Sequence, residues 1–253
     1  TYEEEQAQVQ RYFQLTDRVN DFETRLHRAA ARLDANEVRS ERGGERDRFL
    51  EERDALELSV ERIIEGLITQ SLRGEGAGTK FLLWRTLWPP VDFHLGSVPK
   101  LLIVSPRDRI QVMETHLLEP GITLEERIDL ESSIDARELS SLVEDISGVA
   151  TYPSLIPDSR SLKSVLRTAA HEWAHHYLAF RPLGRGYYSN GEMMTINETV
   201  ADIVGEEIGK DVYKRFFDIA EDQNGPRQSP ITPLLPAPLF DFNTEMRKTR
   251  VHA

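Results

Sequence analysis

The sequence predicts an α+β fold: a mixed body of short strands and helices, led by a long N-terminal helical hairpin. Three observations carry this expectation. Apolar residues in the first 72 positions recur at alternating steps of three and four. Between about 81 and 157, short β-branched and aromatic runs are punctuated by prolines. From about 160, two apolar helical runs flank a turn-rich loop.

Tyr12, Leu15, Val19, Phe22, Leu26, Ala29 and Leu33 trace the first seam. Phe49, Leu56, Val60, Ile63 and Leu67 trace the second, with Arg53 filling one seam position. Steps of this kind place one apolar stripe along each helix, and two such stripes bury each other in an antiparallel pair. "SERGGERD", residues 40–47, reads as the turn between them. The resulting arm, residues 1–72, serves either as a spacer and packing element or as a surface for dimerisation or a protein partner. The rest, 73–253, is expected to form one domain.

"RGEGAGTK" breaks the helical text, and "FLLWRTLWPPVDFHL", "KLLIVSP" and "RIQVMETHLL" then read as strands. "TLEERIDL" opens with the Thr-x-x-Glu spacing of a capping box and starts a helix. "GVATYPSLI" reads as a further strand, and Pro153 favours an edge position because proline cannot donate to a sheet ladder. The metal helices discussed below are expected at about 160–180 and 193–210. Residues 224–239, "NGPRQSPITPLLPAPL", hold too many prolines for helix and should run extended over the surface. The last residues, "FDFNTEMRKTRVHA", again look helical.

Composition removes several function classes. The chain of 253 residues has no cysteine, so thiolate metal sites, disulfides and cysteine nucleophiles are absent. The net charge of -12, with no long Lys/Arg cluster, argues against nucleic acid as a partner. No apolar run is long enough to span a bilayer. The sequence begins at Thr1, directly in helix-like text, which favours an extracytoplasmic protein with a membrane tether outside these residues.

The chemistry concentrates in "AAHEWAHHYLAF", residues 169–180. Helical positions four apart share a face, so His171 and His175 can offer two imidazoles to one cation. Glu172, about 100° round the helix, is placed to act as general base on a water at that cation. The competing reading is a helix with structural histidines. The adjacent His176 points to another face and reads as structural. Two imidazoles leave a catalytic zinc site incomplete, since it needs a third protein ligand. "NETVAD", residues 197–202, offers one, with Glu198 and Asp202 one turn apart on the same face. Either carboxylate can serve as the third ligand on spacing alone. Gly205 falls near that face and can let two helices approach closely.

H-E-x-x-H followed by N-E-x-x-A-D resembles the gluzincin zinc metallopeptidases, the thermolysin-like group, over roughly residues 145–210. The resemblance implies a zincin-like catalytic domain holding one Zn2+ per chain. It implies Glu198 as third ligand and Asp202 as the hydrogen-bond partner of His171. It also implies peptide or protein substrates laid against an edge strand, for which "GVATYPSLI" is the candidate. The oxyanion donor is left open among Tyr187, Tyr188, Arg247 and Arg250. The alternative is a catalytically idle zinc-bound scaffold whose helical arm is the interaction module; Glu172 speaks against it, because a structural site needs no base there.

Overall fold

A computed structural model of the chain describes residues 1–30, 35–77, 79–81, 84–109 and 111–217. Helices and strands are mixed, with helix the larger share. By contacts the chain divides into two compact units, one of Thr1–Val98 with Ser147–Ala220 and the other built on Pro99–Ile146. The hairpin and the metal helices therefore belong to one unit, and the divisions fall at 98/99 and 146/147 instead of at 72/73.

In the first unit, α1 (Tyr2–Ala30) and α2 (Ala35–Gly74) run antiparallel. Arg11 meets Glu52 at 2.6 Å, Gln8 meets Ser59 at 2.7 Å and Arg46 meets Glu23 at 2.7 Å, so numbers rise on one helix as they fall on the other. The turn expected at 40–47 is not there: α2 runs continuously through Gly43 and Gly44. Glycine costs a helix about 1 kcal/mol per residue without forbidding it, and the flanking Glu and Arg residues are good helix formers. Residues 31–34, between the two helices, lie outside the described residues.

The buried stripe of α2 is also turned relative to the simple seam. Val60, Ile64 and Ile68 are fully buried, while Ile63 and Leu67 are only partly so. The reason is that α2 packs against the body as well as against α1. Its buried face shares one core with Val9, Tyr12 and Phe13 of α1 and with Leu166, Ala170 and Trp173 further along. Arg53, nearly buried, ties α2 to Asp158 at 3.0 Å.

The strands of this unit are short. β1 (Thr79–Phe81) and β2 (Trp84–Thr86) form an antiparallel pair. β3 (Phe93–Gly96) pairs in parallel with a later strand, Ser154–Pro157. One edge of β3 is closed by a helix. Glu65 and Glu61, one turn apart on α2, accept the backbone N–H groups of Phe93 at 3.1 Å and Leu95 at 2.7 Å. Residues i and i+2 of a strand direct their N–H groups to the same side, about 6.6 Å apart, close to one helical turn.

The second unit is a three-stranded antiparallel sheet with one helix. β4 (Lys100–Pro106) lies between β5 (Glu114–Leu118) and β6 (Leu139–Asp145). α3 (Leu124–Asp135) starts at the expected capping box, in which Thr123 and Glu126 bond reciprocally. Leu102, Val104, Ile134 and Val143 form its core. "RIQVMETHLL" yields strand only from Glu114.

Back in the first unit, only the last three residues of "GVATYPSLI" form strand, within β7 (Ser154–Pro157), with Val149 bridging Leu155. α4 (Leu162–Ala179) follows, capped by Ser161, then the short α5 (Pro182–Arg185) inside the turn-rich loop, then α6 (Gly191–Phe216), capped by Asn190. No helix among the described residues is long and apolar enough to cross a membrane. The proline-rich stretch 224–239 and the terminal helix expected after it lie outside the described residues.

Candidate metal centre

α4 and α6 lie in near contact because α6 has glycine where α4 needs room. A Cβ on Gly205 would sit 2.7 Å from the Arg167 carbonyl oxygen and 3.1 Å from the His171 Cβ. One turn on, a Cβ on Gly209 would meet the Arg167 Cα at 3.0 Å. Glycines four apart let two backbones approach closely, and this approach brings Glu198 of α6 within reach of α4. The close packing expected at Gly205 is present.

α4 is buried on its other sides. Leu166, Ala169, Ala170, Trp173 and Ala174 enter the core, and the Trp173 indole N–H donates to the Pro89 carbonyl at 2.8 Å. With the helix anchored in this way, His171 and His175 point together from its remaining face. Their Nε2 atoms are 3.0 Å apart. Glu198 Oε2 lies 3.6 Å from each of them. One ligand atom from each of these three residues falls within 4.8 Å of the others.

That triangle suits a small divalent ion. Bonds of about 2.0–2.1 Å at tetrahedral angles put neighbouring donors roughly 3.4 Å apart. Two imidazoles and one carboxylate are also a donor set that zinc accepts in catalytic sites. Without a cation, two ring nitrogens at 3.0 Å require one to donate to the other.

Asp202 lies on the far side of His171, with Oδ1 3.2 Å from Nδ1. It faces the opposite ring nitrogen from Glu198, so the two carboxylates of "NETVAD" have different partners. A carboxylate at Nδ1 keeps the proton there and leaves the Nε2 lone pair free to ligate. Arg167 in turn holds Asp202 at 3.2 Å and Glu206 at 3.4 Å. Glu206 also pairs with Lys210 at 2.8 Å, so it belongs to a surface charge network.

Glu172 is only 5% exposed. Burial, and then the Glu198 carboxylate nearby, push its carboxyl up to about 7. Gly148 makes the space it occupies: a Cβ there would lie 2.7 Å from Glu172 Oε1. Burial likewise lowers the pKa of His175 and favours the neutral ring, with Glu198 opposing. His176 faces elsewhere, edge-on to the Tyr152 ring at 5.3 Å, as expected for a structural histidine.

Of the residues left open as oxyanion donors, Tyr187 enters the centre. Its hydroxyl donates to Glu198 Oε1 at 2.5 Å, and its ring meets His175 edge-on at 6.0 Å. Tyr188 is 89% exposed. Arg247 and Arg250 lie outside the described residues. Sequence reading missed Gly148, Arg167 and the anchoring role of Asn197, because their parts depend on how backbones meet. Asn197 is buried, and its side-chain amide donates to the carbonyls of Leu183 and Met193.

No protein-family model, curated protein or solved structure matches the chain.

Proposed function

We propose that the protein is a zinc metallopeptidase of zincin-like fold, hydrolysing peptide bonds at the centre formed by His171, His175 and Glu198. The observation that carries this reading is the triangle of two Nε2 atoms and one carboxylate oxygen, 3.0 to 3.6 Å apart, beside a buried glutamate. A zinc ion held there supplies a Lewis acid that acidifies water and polarises a carbonyl oxygen.

The chain's own residues do the rest. Asp202 fixes the His171 ring with its proton on Nδ1. Glu172 accepts a proton from the attacking water and returns it to the leaving nitrogen. Its burial supports that role, because a carboxylate stripped of water is a stronger base than one in solvent. Beside Glu172 lies the backbone of Gly148, followed by Val149, which bridges Leu155 of β7. An extended peptide laid along that stretch would pair through its main chain and bring its scissile bond beside the centre.

An idle scaffold is the alternative, and burying an ionisable glutamate at a purely structural site would be an unrewarded cost. The test is hydrolysis of an unfolded protein by zinc-loaded wild type and Glu172→Gln. Equal zinc content in both is expected, with a loss of turnover of about 100-fold or more in the variant. Equal inertness of both on diverse unfolded substrates would favour the scaffold.

A further inference from the structure

The two oxygens of Glu198 have different neighbours. Oε2 faces both ligand imidazoles at 3.6 Å, whereas Oε1 accepts the Tyr187 hydroxyl at 2.5 Å. Tyr187 is also braced from both sides. Gly184, three residues before it, packs so tightly on the end of α4 that a Cβ there would fall 2.1 Å from the Leu178 carbonyl oxygen. The Tyr187 N–H donates to the Gly184 carbonyl at 3.1 Å. From the other helix, the buried Asn197 donates to the Leu183 carbonyl at 3.0 Å. The loop is thus tied to α4 and to α6, the two helices that carry the ligands.

We infer that Tyr187 is a positioning residue for the metal centre: its hydroxyl occupies one oxygen of Glu198, so that the other alone is offered to the ion. The inference rests on the zinc reading above and deepens it. A carboxylate free at both oxygens can chelate an ion through both, which raises the coordination number and uses up room that water and a substrate carbonyl need. A carboxylate held at one oxygen binds through the other. Four-coordinate nitrogen and oxygen sites favour zinc, while larger oxygen-rich shells favour calcium or manganese. Tyr187 thereby acts on ion geometry and ion choice without touching the ion.

The test uses the full chain with cobalt(II) as a spectroscopic substitute for zinc. Four-coordinate cobalt absorbs visible light far more strongly than six-coordinate cobalt. Wild type is expected to give the intense spectrum and Tyr187→Phe a markedly weaker one. Zinc affinity of Tyr187→Phe should fall about 10- to 100-fold, as for other hydrogen-bond partners of metal ligands. Tyr188→Phe, which removes an exposed hydroxyl one residue on, should leave both readouts unchanged. An unaltered cobalt spectrum and zinc affinity in Tyr187→Phe would overturn the inference while leaving the metal site standing. Equal effects of the two substitutions would overturn it as well, by showing a general loop disturbance. Failure of wild type to take up cobalt or zinc at all would remove both this inference and the peptidase reading.

Discussion

Gly205 lies directly beneath His171: a Cβ on the glycine would stand 3.1 Å from the histidine's own Cβ and 2.7 Å from the Arg167 carbonyl. The contact sets how closely α6 approaches α4, and so where Glu198 sits relative to the two imidazoles. Gly205→Val is expected to push the helices apart. Overpacking of this kind costs about 1–3 kcal/mol of stability. Chemical denaturation should show that loss, and zinc titration should show weaker binding in the folded variant. A variant with wild-type zinc affinity would mean that the helix contact does not set the ligand geometry.

Gly148 makes the corresponding space for the base. A Cβ there would lie 2.7 Å from Glu172 Oε1 and 2.9 Å from Thr168 Cγ2. Gly148→Ala should therefore displace the Glu172 carboxylate without touching a metal ligand. The expected result is unchanged zinc content with turnover lowered about 10- to 100-fold, less than the roughly 100- to 10,000-fold that losing a general base outright would cost, because the base is displaced and not removed. Zinc loss in parallel with activity would point to a wider collapse of the site.

Asp202 holds His171 from the side away from Glu198. Asp202→Ala is expected to weaken zinc binding about 10- to 100-fold by freeing the ring and its tautomer. Competition against a chelator of known affinity measures this directly. Arg167→Ala, one step further out, should have a smaller effect of the same sign.

The seal on β3 predicts a pH dependence of stability remote from the metal. Burial raises the Glu65 carboxyl above its ordinary 4.5, with the Phe93 N–H opposing and Asp92 and Glu61 reinforcing. A carboxyl with a raised pKa in the folded state binds more protons there than in the unfolded chain. Its contribution to stability is therefore fully present below pH 4.5 and falls as pH rises through the folded value. Glu65→Gln keeps an oxygen for the Phe93 N–H and never ionises. Its melting temperature should exceed that of wild type at pH 7, and the gain should shrink toward pH 4. A constant difference across that range would contradict the burial argument.

The convergence of the candidate ligands on α4 was legible in the sequence because helix periodicity converts spacing into direction. His171 and His175 share a face, and α4 and α6 occur where expected, at Leu162–Ala179 and Gly191–Phe216. The capping box at Thr123 was legible for the same local reason. The division of labour between Glu198 and Asp202 came only from the family resemblance, because spacing alone leaves both open; it depends on which side of His171 each helix turn reaches. Glycines misled at 43–44, where a pair suggestive of a turn lies within α2, since a cost of about 1 kcal/mol per glycine does not break a helix that continues on both sides. β6 was hidden behind the helix before it, "LSSLVED" being weakly patterned, with Val143 its one buried residue. The grouping of the hairpin with the metal helices depends on contacts between residues far apart in sequence, such as Ile64 and Trp173 in one core.

The most direct measurement is zinc stoichiometry and affinity for the metal-free full chain, refilled and compared with His175→Ala and Glu198→Ala. One zinc per wild-type chain is expected, with binding weakened about 100-fold or more in each variant, because each loses one of three protein ligands. Wild type that takes up no zinc, or variants that bind it as tightly as wild type, would rule out a metal centre at these residues.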